Sequence, residues 1–441
     1  MKLSAIILLL LSGYVTVEAQ ESATQPATQT LTLSNSVEIA LEKNVTVIQA
    51  RNNLEASQSG TRAAVGAFFP TLEASAGYQS QHQWYPDYDG DLNNSSYNTN
   101  LHADMILFNG LANTNSLKRA EADETAAELT VTRSEQSTIY QTHFLFLNVF
   151  RTYQLLNVFQ DNLKRSKRQL ERIQESNKVG AVALADVYRQ QVQAGKDELA
   201  LIQAQSAYEK AKQDHVAYLG VDFTSEYTFD FTGVPRDIDT TEFAALNASY
   251  SNFQNLVAEA VQRRPDFLAS TENVNSADNG VTVARAGHWP TISASASYGL
   301  NNTRVQNLID NKNFLVNLNL TLPIFNGFST SDRVEQAEIL RKNAEEQHRQ
   351  SNRQLAVDIR KALLDLEASE KQVRVTQSNV FSAEMDRKIA EEKYNLGAGT
   401  LLDLLVATAN YTGALSDKVD AVISFLLAKK NTELALGTIS K

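Results

Sequence analysis

The period of apolar and polar positions changes along this chain, and it changes twice in the same order. Leu72, Ala74, Ala76 and Tyr78 alternate with Thr71, Glu73, Ser75 and Gly77. Tyr97, Thr99, Leu101, Ala103, Met105 and Leu107 alternate with Asn98, Asn100, His102 and Asp104. The same alternation returns over 292–300 and 314–322. A period of two predicts four strands, each with one polar face. Elsewhere the period lengthens. Ile359, Leu366, Val373 and Val380 recur at seven, with Leu355, Ala362, Ser369, Thr376, Ala383 and Ala390 as companions. That is a heptad seam with small residues, which suits close helix packing.

The repetition is literal in places. Phe69-Pro70-Thr71-Leu72 reappears as Trp289-Pro290-Thr291-Ile292, 220 positions on. Phe108-Asn109-Gly110 reappears as Phe325-Asn326-Gly327, 217 positions on, and Gly180, Asp186 and Gly220 match Gly397, Asp403 and Gly437 at the same offset. The first copy therefore carries three extra residues between Tyr78 and Phe108. A unit this long is a structural half, not a solenoid repeat. Each half reads as a helix (34–68 and 253–288), two strands, a long helix (111–178 and 330–395), a glycine-marked break and a shorter return helix (184–218 and 401–436). The halves span 34–222 and 253–437, with β-hairpins over 71–107 and 291–323 and helical hairpins over 111–219 and 328–436. A linker over 223–252 joins them, 20–33 forms an N-terminal extension and 438–441 a short tail. At about 1.5 Å per residue each long helix spans on the order of 100 Å, more than any compact domain needs.

Composition narrows the picture. The 441 residues hold only 18 Gly and 7 Pro, and no proline interrupts 87–234 or 324–441. The net charge of −11 argues against nucleic acid as a main partner. Lys2, the apolar run Ile6 to Leu11 and Val17-Glu18-Ala19 read as a secretory signal over 1–19, an uncleaved anchor being the competing reading. With no cysteine there is neither a disulfide framework nor a lipidated N-terminal Cys. The chain carries no Walker loop, nucleophile elbow or Rossmann fingerprint, and its six histidines form no metal-spaced pair. No enzyme activity, cofactor or metal is expected.

Strands of 10–13 residues with one polar face fit a soluble β-layer or a tilted transmembrane barrel. Aromatic residues near the strand ends (Phe69, Tyr78, Phe108, Trp289, Tyr298, Phe325) favour an interfacial girdle. Four strands cannot close a barrel with a polar interior, so the remaining strands must come from other chains. Two readings stay open at this level: an export conduit, and a soluble periplasmic coiled-coil scaffold or adaptor.

The strand starts at Pro70 and Pro290, the Phe-Asn-Gly joints, and the segment from Tyr394 through Gly397, Gly399, Thr400 and Asp403 together resemble the TolC-type outer-membrane efflux proteins, over nearly all of the mature chain. The resemblance implies a mixed, mostly helical fold: a homotrimer with a twelve-stranded barrel in outer-membrane lipid and a twelve-helix periplasmic tunnel. It implies docking to a periplasmic membrane-fusion adaptor and an inner-membrane pump of RND, ABC or MFS type, for drug efflux, metal efflux or type I secretion. It also makes Asp403 one residue of an acidic ring at the periplasmic entrance, and Gly180, Asp186, Tyr394, Gly397, Gly399 and Thr400 parts of the gating and adaptor-contacting tips. In relatives a second acid follows one turn later; here that position is Val406. The Arg of the family's closed-state clasp falls at Gly399.

The residues have simpler readings beside these. Thr400 and Asp403 have the spacing of a capping box, Gly180 and Gly397 that of left-handed helix caps. Three crowded carboxylates would raise one another's pKa. Asp87, Asp89 and Asp91 lack the glycine position and closing Glu of an EF-hand, so they read as an acidic exposed loop.

Overall fold

The computed structural model describes residues 29–83, 92–222 and 225–440. The signal segment and the Asp87, Asp89 and Asp91 loop lie outside the described residues. The elements run β1 (Gln29–Leu31), α1 (Leu33–Lys43), α2 (Val45–Gly66), β2 (Thr71–Gln83), β3 (Leu92–Asn109), α3 (Ala112–Lys178) and α4 (Leu184–Leu219), then β4 (Tyr227–Phe229) and α5 (Glu242–Ser249). The second half continues with α6 (Phe253–Arg263), α7 (Pro265–Arg285), β5 (Thr291–Asn302), β6 (Lys312–Thr321), α8 (Ser329–Asn395) and α9 (Leu401–Leu436). The halves match in length: α3 and α8 have 67 residues each, α4 and α9 have 36.

The four long strands form one antiparallel sheet in the order β2-β3-β5-β6. Pairings such as Ala74↔Leu101, Leu101↔Tyr298 and Ala294↔Leu318 put the apolar positions of all four on one face. Glu73↔His102, Asp104↔Ser295 and Ser293↔Asn319 line the other. Strand β3 runs to 18 residues, beyond the alternating stretch, because Asn93 to Ser96 pair with Gln79 to His82. Those residues are polar on both faces, so no period of two marks them as strand. Strand β6 stops at Thr321, two residues before Pro323, which has no N–H for the ladder.

The helix expected over each of 34–68 and 253–288 is two helices. The first breaks at Asn44, where φ −67° and ψ 131° leave the helical region. Asn44 Oδ1 accepts from the Thr46 N–H at 2.9 Å, capping α2, while its Nδ2 donates to the Tyr218 carbonyl at 2.7 Å. The second breaks at Arg264 because Pro265 excludes the α conformation from the residue before it and then serves as the first residue of α7. Each break receives the end of a return helix. Gly220 has φ +72°, and a Cβ there would sit 2.6 Å from the Lys43 carbonyl oxygen; Gly437, also at φ +72°, abuts Arg264. Arg264 is itself buried, held by Asp266 and by Asp358 at 3.2 Å.

The heptad of α8 is buried from Leu355 to Val373 and only half-buried from Thr376 onward. Its upper part packs with α9 around Leu355, Ile359 and Leu436, and further down around Leu366, Val373 and Phe425. The linker is a strap across these helices. Phe243 is fully buried against Phe425, with ring centroids 5.0 Å apart. Asp237 accepts from Gln377 and Lys418, both at 2.7 Å. On the other hairpin Phe231 stacks on Tyr153 at 5.2 Å.

His215 of α4 is fully buried between Phe146 and Phe229, within 3.1 Å of Ser36 Oγ. Burial lowers its pKa to about 4. Burial, with Lys430 nearby, does the same to His143. An unfolded His binds a proton below about 6.5, so both groups favour the folded state fully above that pH and progressively less as pH falls from 6.5 to 4. For His215 alone the loss is about 3 kcal/mol. Denaturant midpoints of the helices, followed by circular dichroism, should therefore fall between pH 7 and pH 4, and His215→Gln should remove part of that slope. A slope unchanged in the variant would contradict the assignment.

Candidate functional site

The two ends of the molecule carry the residues singled out in the sequence, about 100 Å apart by the length of α3 and α8. At the sheet end, Phe69, Phe108, Trp289 and Phe325 sit where strands meet helices, next to Pro70 and Pro290. Tyr78 and Tyr298 lie eight residues into their strands, where Tyr78 packs on Tyr97 at 4.9 Å and Tyr298 pairs with Phe314. Nine residues separate Phe69 from Tyr78, about 30 Å along a strand and, at 35–45° of tilt, about 23 Å along the membrane normal. That matches the apolar band of an outer-membrane barrel. Between the two rows Leu72, Leu318 and Leu320 are each about 70% exposed, on a face that nothing among the described residues covers. No helix among the described residues is long and apolar enough to cross a membrane.

Both strand-to-helix joints hold two successive left-handed residues. Gly110 and Leu111 have φ +65° and +69°; Gly327 and Phe328 have φ +64° and +66°. Left-handed Leu and Phe each cost roughly 1–2 kcal/mol. Local hydrogen bonds offset that cost: Asn109 exchanges bonds with Asn113, and Asn326 Nδ2 donates to Thr330 Oγ1. Nothing in the sequence beyond Asn-Gly hinted that the following residue would be left-handed too.

At the opposite end each long helix stops in the same way. The Ala181 N–H donates to the Ser176 carbonyl at 2.9 Å, and the Ala398 N–H to Lys393 at 2.8 Å, across Gly180 (φ +78°) and Gly397 (φ +72°). The return helices then start differently. Helix α4 follows Ala183 with no side-chain cap, whereas α9 has a complete capping box. The Asp403 N–H donates to Thr400 Oγ1 at 3.2 Å, and the Thr400 N–H and hydroxyl donate to Asp403 Oδ2 at 3.1 and 2.7 Å. These hydroxyl and backbone bonds hold the exposed Asp403 carboxyl below the usual carboxylate range. Mutual repulsion in a ring would act in the opposite direction.

Asp186 accepts from Arg189 at 2.9 Å, on its own helix. Tyr394 packs against the cluster of Ile173, Val187 and Leu401, and its hydroxyl is buried without a hydrogen-bond partner. Burial, then the Asp186 charge, raises its pKa. So Asp186 and Tyr394 are neighbours, not a hydrogen-bonded tie. A side chain at Gly399 would meet Lys393 Cβ at 3.0 Å. The sequence reading missed Arg172, which reaches from α3 to Asn395 Oδ1 at 3.2 Å and lies 3.9 Å from Glu391. These partners are more than 200 positions apart, and no spacing signals them.

This geometry has close counterparts among known proteins. The family model described as outer membrane efflux protein matches residues 37–221 and 256–438. Outer membrane protein TolC of Escherichia coli (strain K12) is 24% identical over 381 residues, 81% of this chain and 72% of the relative. Outer membrane protein TolC of Vibrio cholerae is 22% identical over 411 residues, 91% and 90% of the two chains. In fold, the chain superposes on the Campylobacter jejuni CmeC outer membrane channel with a TM-score of 0.79 at 18% identity, covering 92% of this chain and 85% of the other. It superposes on VceC from Vibrio cholerae with a TM-score of 0.77 at 20% identity, covering 92% and 96%. The chain belongs to the outer membrane efflux protein family. It is an efflux channel of the outer membrane, in a family of channels and not of enzymes, and channels of this type work with inner-membrane pumps and periplasmic adaptors. The soluble scaffold reading falls away, in keeping with the uncovered apolar face of the sheet.

The Thr400 cap should matter locally. Thr400→Ala removes an N-cap contribution of about 1 kcal/mol, so hydrogen exchange in the first turn of α9 should quicken about fivefold. Unchanged exchange there would mean that the capping box does not hold the tip.

Proposed function

We propose that three copies of this chain close head to tail into a twelve-stranded barrel and a twelve-helix tunnel, through which an inner-membrane pump exports its cargo passively. The observation that carries the reading is a set of one-sided contacts. Within the chain the first half meets the second through β3 on β5, α3 on α7, and α3 on α9. The duplication equates these with β6 on β2, α8 on α2, and α8 on α4, and in the chain β6 and β2 are free sheet edges. A neighbouring copy supplies all three by one operation. Helix α4 presents the stripe for it: Tyr188, Val192, Leu199 and Ile202, each at least 56% exposed, share one face. The joint at Gly110 abuts Trp289 of the second half, whereas a Cβ at Gly327 would meet nothing among the described residues. In the repeat Trp289 matches Phe69, so the counterpart is the neighbour's Phe69.

The internal symmetry predicts a register for the proposed seam. Leu101↔Tyr298 becomes Leu318 opposite Tyr78 of the next copy. The chain has no native cysteine. Oxidising the Tyr78→Cys, Leu318→Cys double variant in membranes should give a covalent ladder ending at three chains, and either single variant should give none. A ladder ending elsewhere would overturn the ring.

At the other end, the tips with Gly180, Gly397 and Thr400 form the adaptor-contacting surface and the gate. Asp403 forms a single ring of three carboxylates there, without the second ring, because the next-turn position is Val406. Bilayer recordings of Asp403→Ala should show loss of multivalent-cation block from the periplasmic side and reduced cation selectivity. If both persist unchanged, Asp403 is a helix cap and nothing more. The pump and adaptor are of the efflux or type I secretion kind, and co-purification of the envelope complex identifies them.

A further inference from the structure

Just above the tips, the seam between the two helical hairpins contains a cavity of about 420 Å³, walled by α3, α4, α8 and α9. Its polar groups are unbalanced. Arg165 of α3 and Arg387 of α8 both lie over the ring of Tyr411, with guanidinium carbons 5.7 and 5.3 Å from its centroid. Arg165 Nε and Nη2, Arg387 Nε and Gln169 Nε2 are buried without an acceptor. All four are N–H donors, and guanidinium groups cannot turn into acceptors. The two carboxylates on the wall are committed elsewhere. Asp197 Oδ1 accepts from Asn162 at 3.0 Å and from Gln193 at 2.9 Å. Glu391 accepts from Arg387 Nη1 at 2.8 Å. Among the described residues no carboxylate bonds to Arg165, and Asp161 and Asp197 act on it only from a distance. Burial and then the neighbouring Arg387 charge lower the Arg165 pKa, against smaller raising effects of Tyr411, Asp161 and Asp197.

A buried donor without an acceptor costs about 1–3 kcal/mol, more when charged. Four such donors in one cavity, two of them on a guanidinium that no carboxylate contacts, call for an anionic acceptor with several oxygens. We propose that this seam binds a compact oxyanion of the phosphate class, held by Arg165, Gln169 and Arg387. Gln190 Oε1, whose amide is oriented by its bonds to Ser166, is an acceptor without a donor on the same wall. A monohydrogen phosphate supplies the O–H that it lacks.

The site belongs to one seam only. At the 217 offset the positions of Arg165, Arg387 and Tyr411 correspond to Ser382, Leu170 and Ala194. The equivalent contact between neighbouring copies therefore lacks both charges and the ring. Each chain carries one site, and its occupant ties hairpin α3–α4 to hairpin α8–α9. The inference does not rest on ring closure or on the gating role of the tips.

The test is calorimetric titration of the detergent-solubilised full chain with sodium phosphate, against sodium chloride at matched ionic strength. Saturable binding of one phosphate per chain is expected, absent with chloride. Affinity should fall at least tenfold in Arg387→Gln and in Gln169→Leu, and stay unchanged in Lys164→Gln, an exposed charge on the same helix. No saturable phosphate binding by the wild-type protein overturns the proposal, whatever the variants do. So does binding weakened equally by Lys164→Gln, which would mark a diffuse surface effect. Gln169→Leu, which removes no charge, keeps the test open if Arg387→Gln does not assemble.

Discussion

In a bilayer every backbone N–H and C=O must find a partner, because hydrocarbon offers none, and each one left over costs several kcal/mol. The rest of this molecule follows from that constraint. Its sheet has an apolar outer face and two free edges, β2 and β6. Such a sheet is not stable in lipid as a single chain. Closing the edges onto copies of the same chain removes them all, and the internal duplication makes the closing contact a copy of one that already exists at β3 and β5. The helices inherit the arrangement. Each pair of strands continues into a helical hairpin through a left-handed joint, so in the proposed assembly a ring of strands becomes a ring of helices.

The duplication also shows where the halves have diverged. The joints at Asn109 and Asn326 and the breaks at Asn44 and Arg264 are architectural, and they keep the same geometry with partly different residues. The tips and the hairpin seam have not been kept alike. Thr400 and Asp403 cap α9, where Ala183 leaves α4 uncapped. Arg165, Arg387 and Tyr411 crowd one seam, whereas the equivalent positions of the repeat hold Ser382, Leu170 and Ala194. Scaffold constraints act on both copies equally, whereas the proposed control of opening needs only one. Most of the differences lie in the hairpin that begins with α8, with Arg165 of α3 facing it.

Much of this was legible in the residues. The period of two found the four strands, and the seven-residue period with scarce proline found the long helices to within a residue or two. The breaks at Asn44 and Arg264 were harder. Pro265 was visible, but proline is also tolerated in the first turn of a helix, and only its effect on Arg264 separates a start from a kink. Asn44 acts through a bond to Tyr218, a partner that local sequence does not name. Strand β3 was read short because its outer end is polar on both faces. The cluster of Arg165, Arg387 and Tyr411 left no local trace, since each residue alone looks like a solvated position on a charged helix.

The central claim is that three chains, and no other number, complete the structure. Native mass measurement of the complex extracted by detergent from the outer membrane, without heating, tests it most directly. The account predicts a single species containing three chains. A folded, membrane-extracted species of one, two or four chains would contradict it.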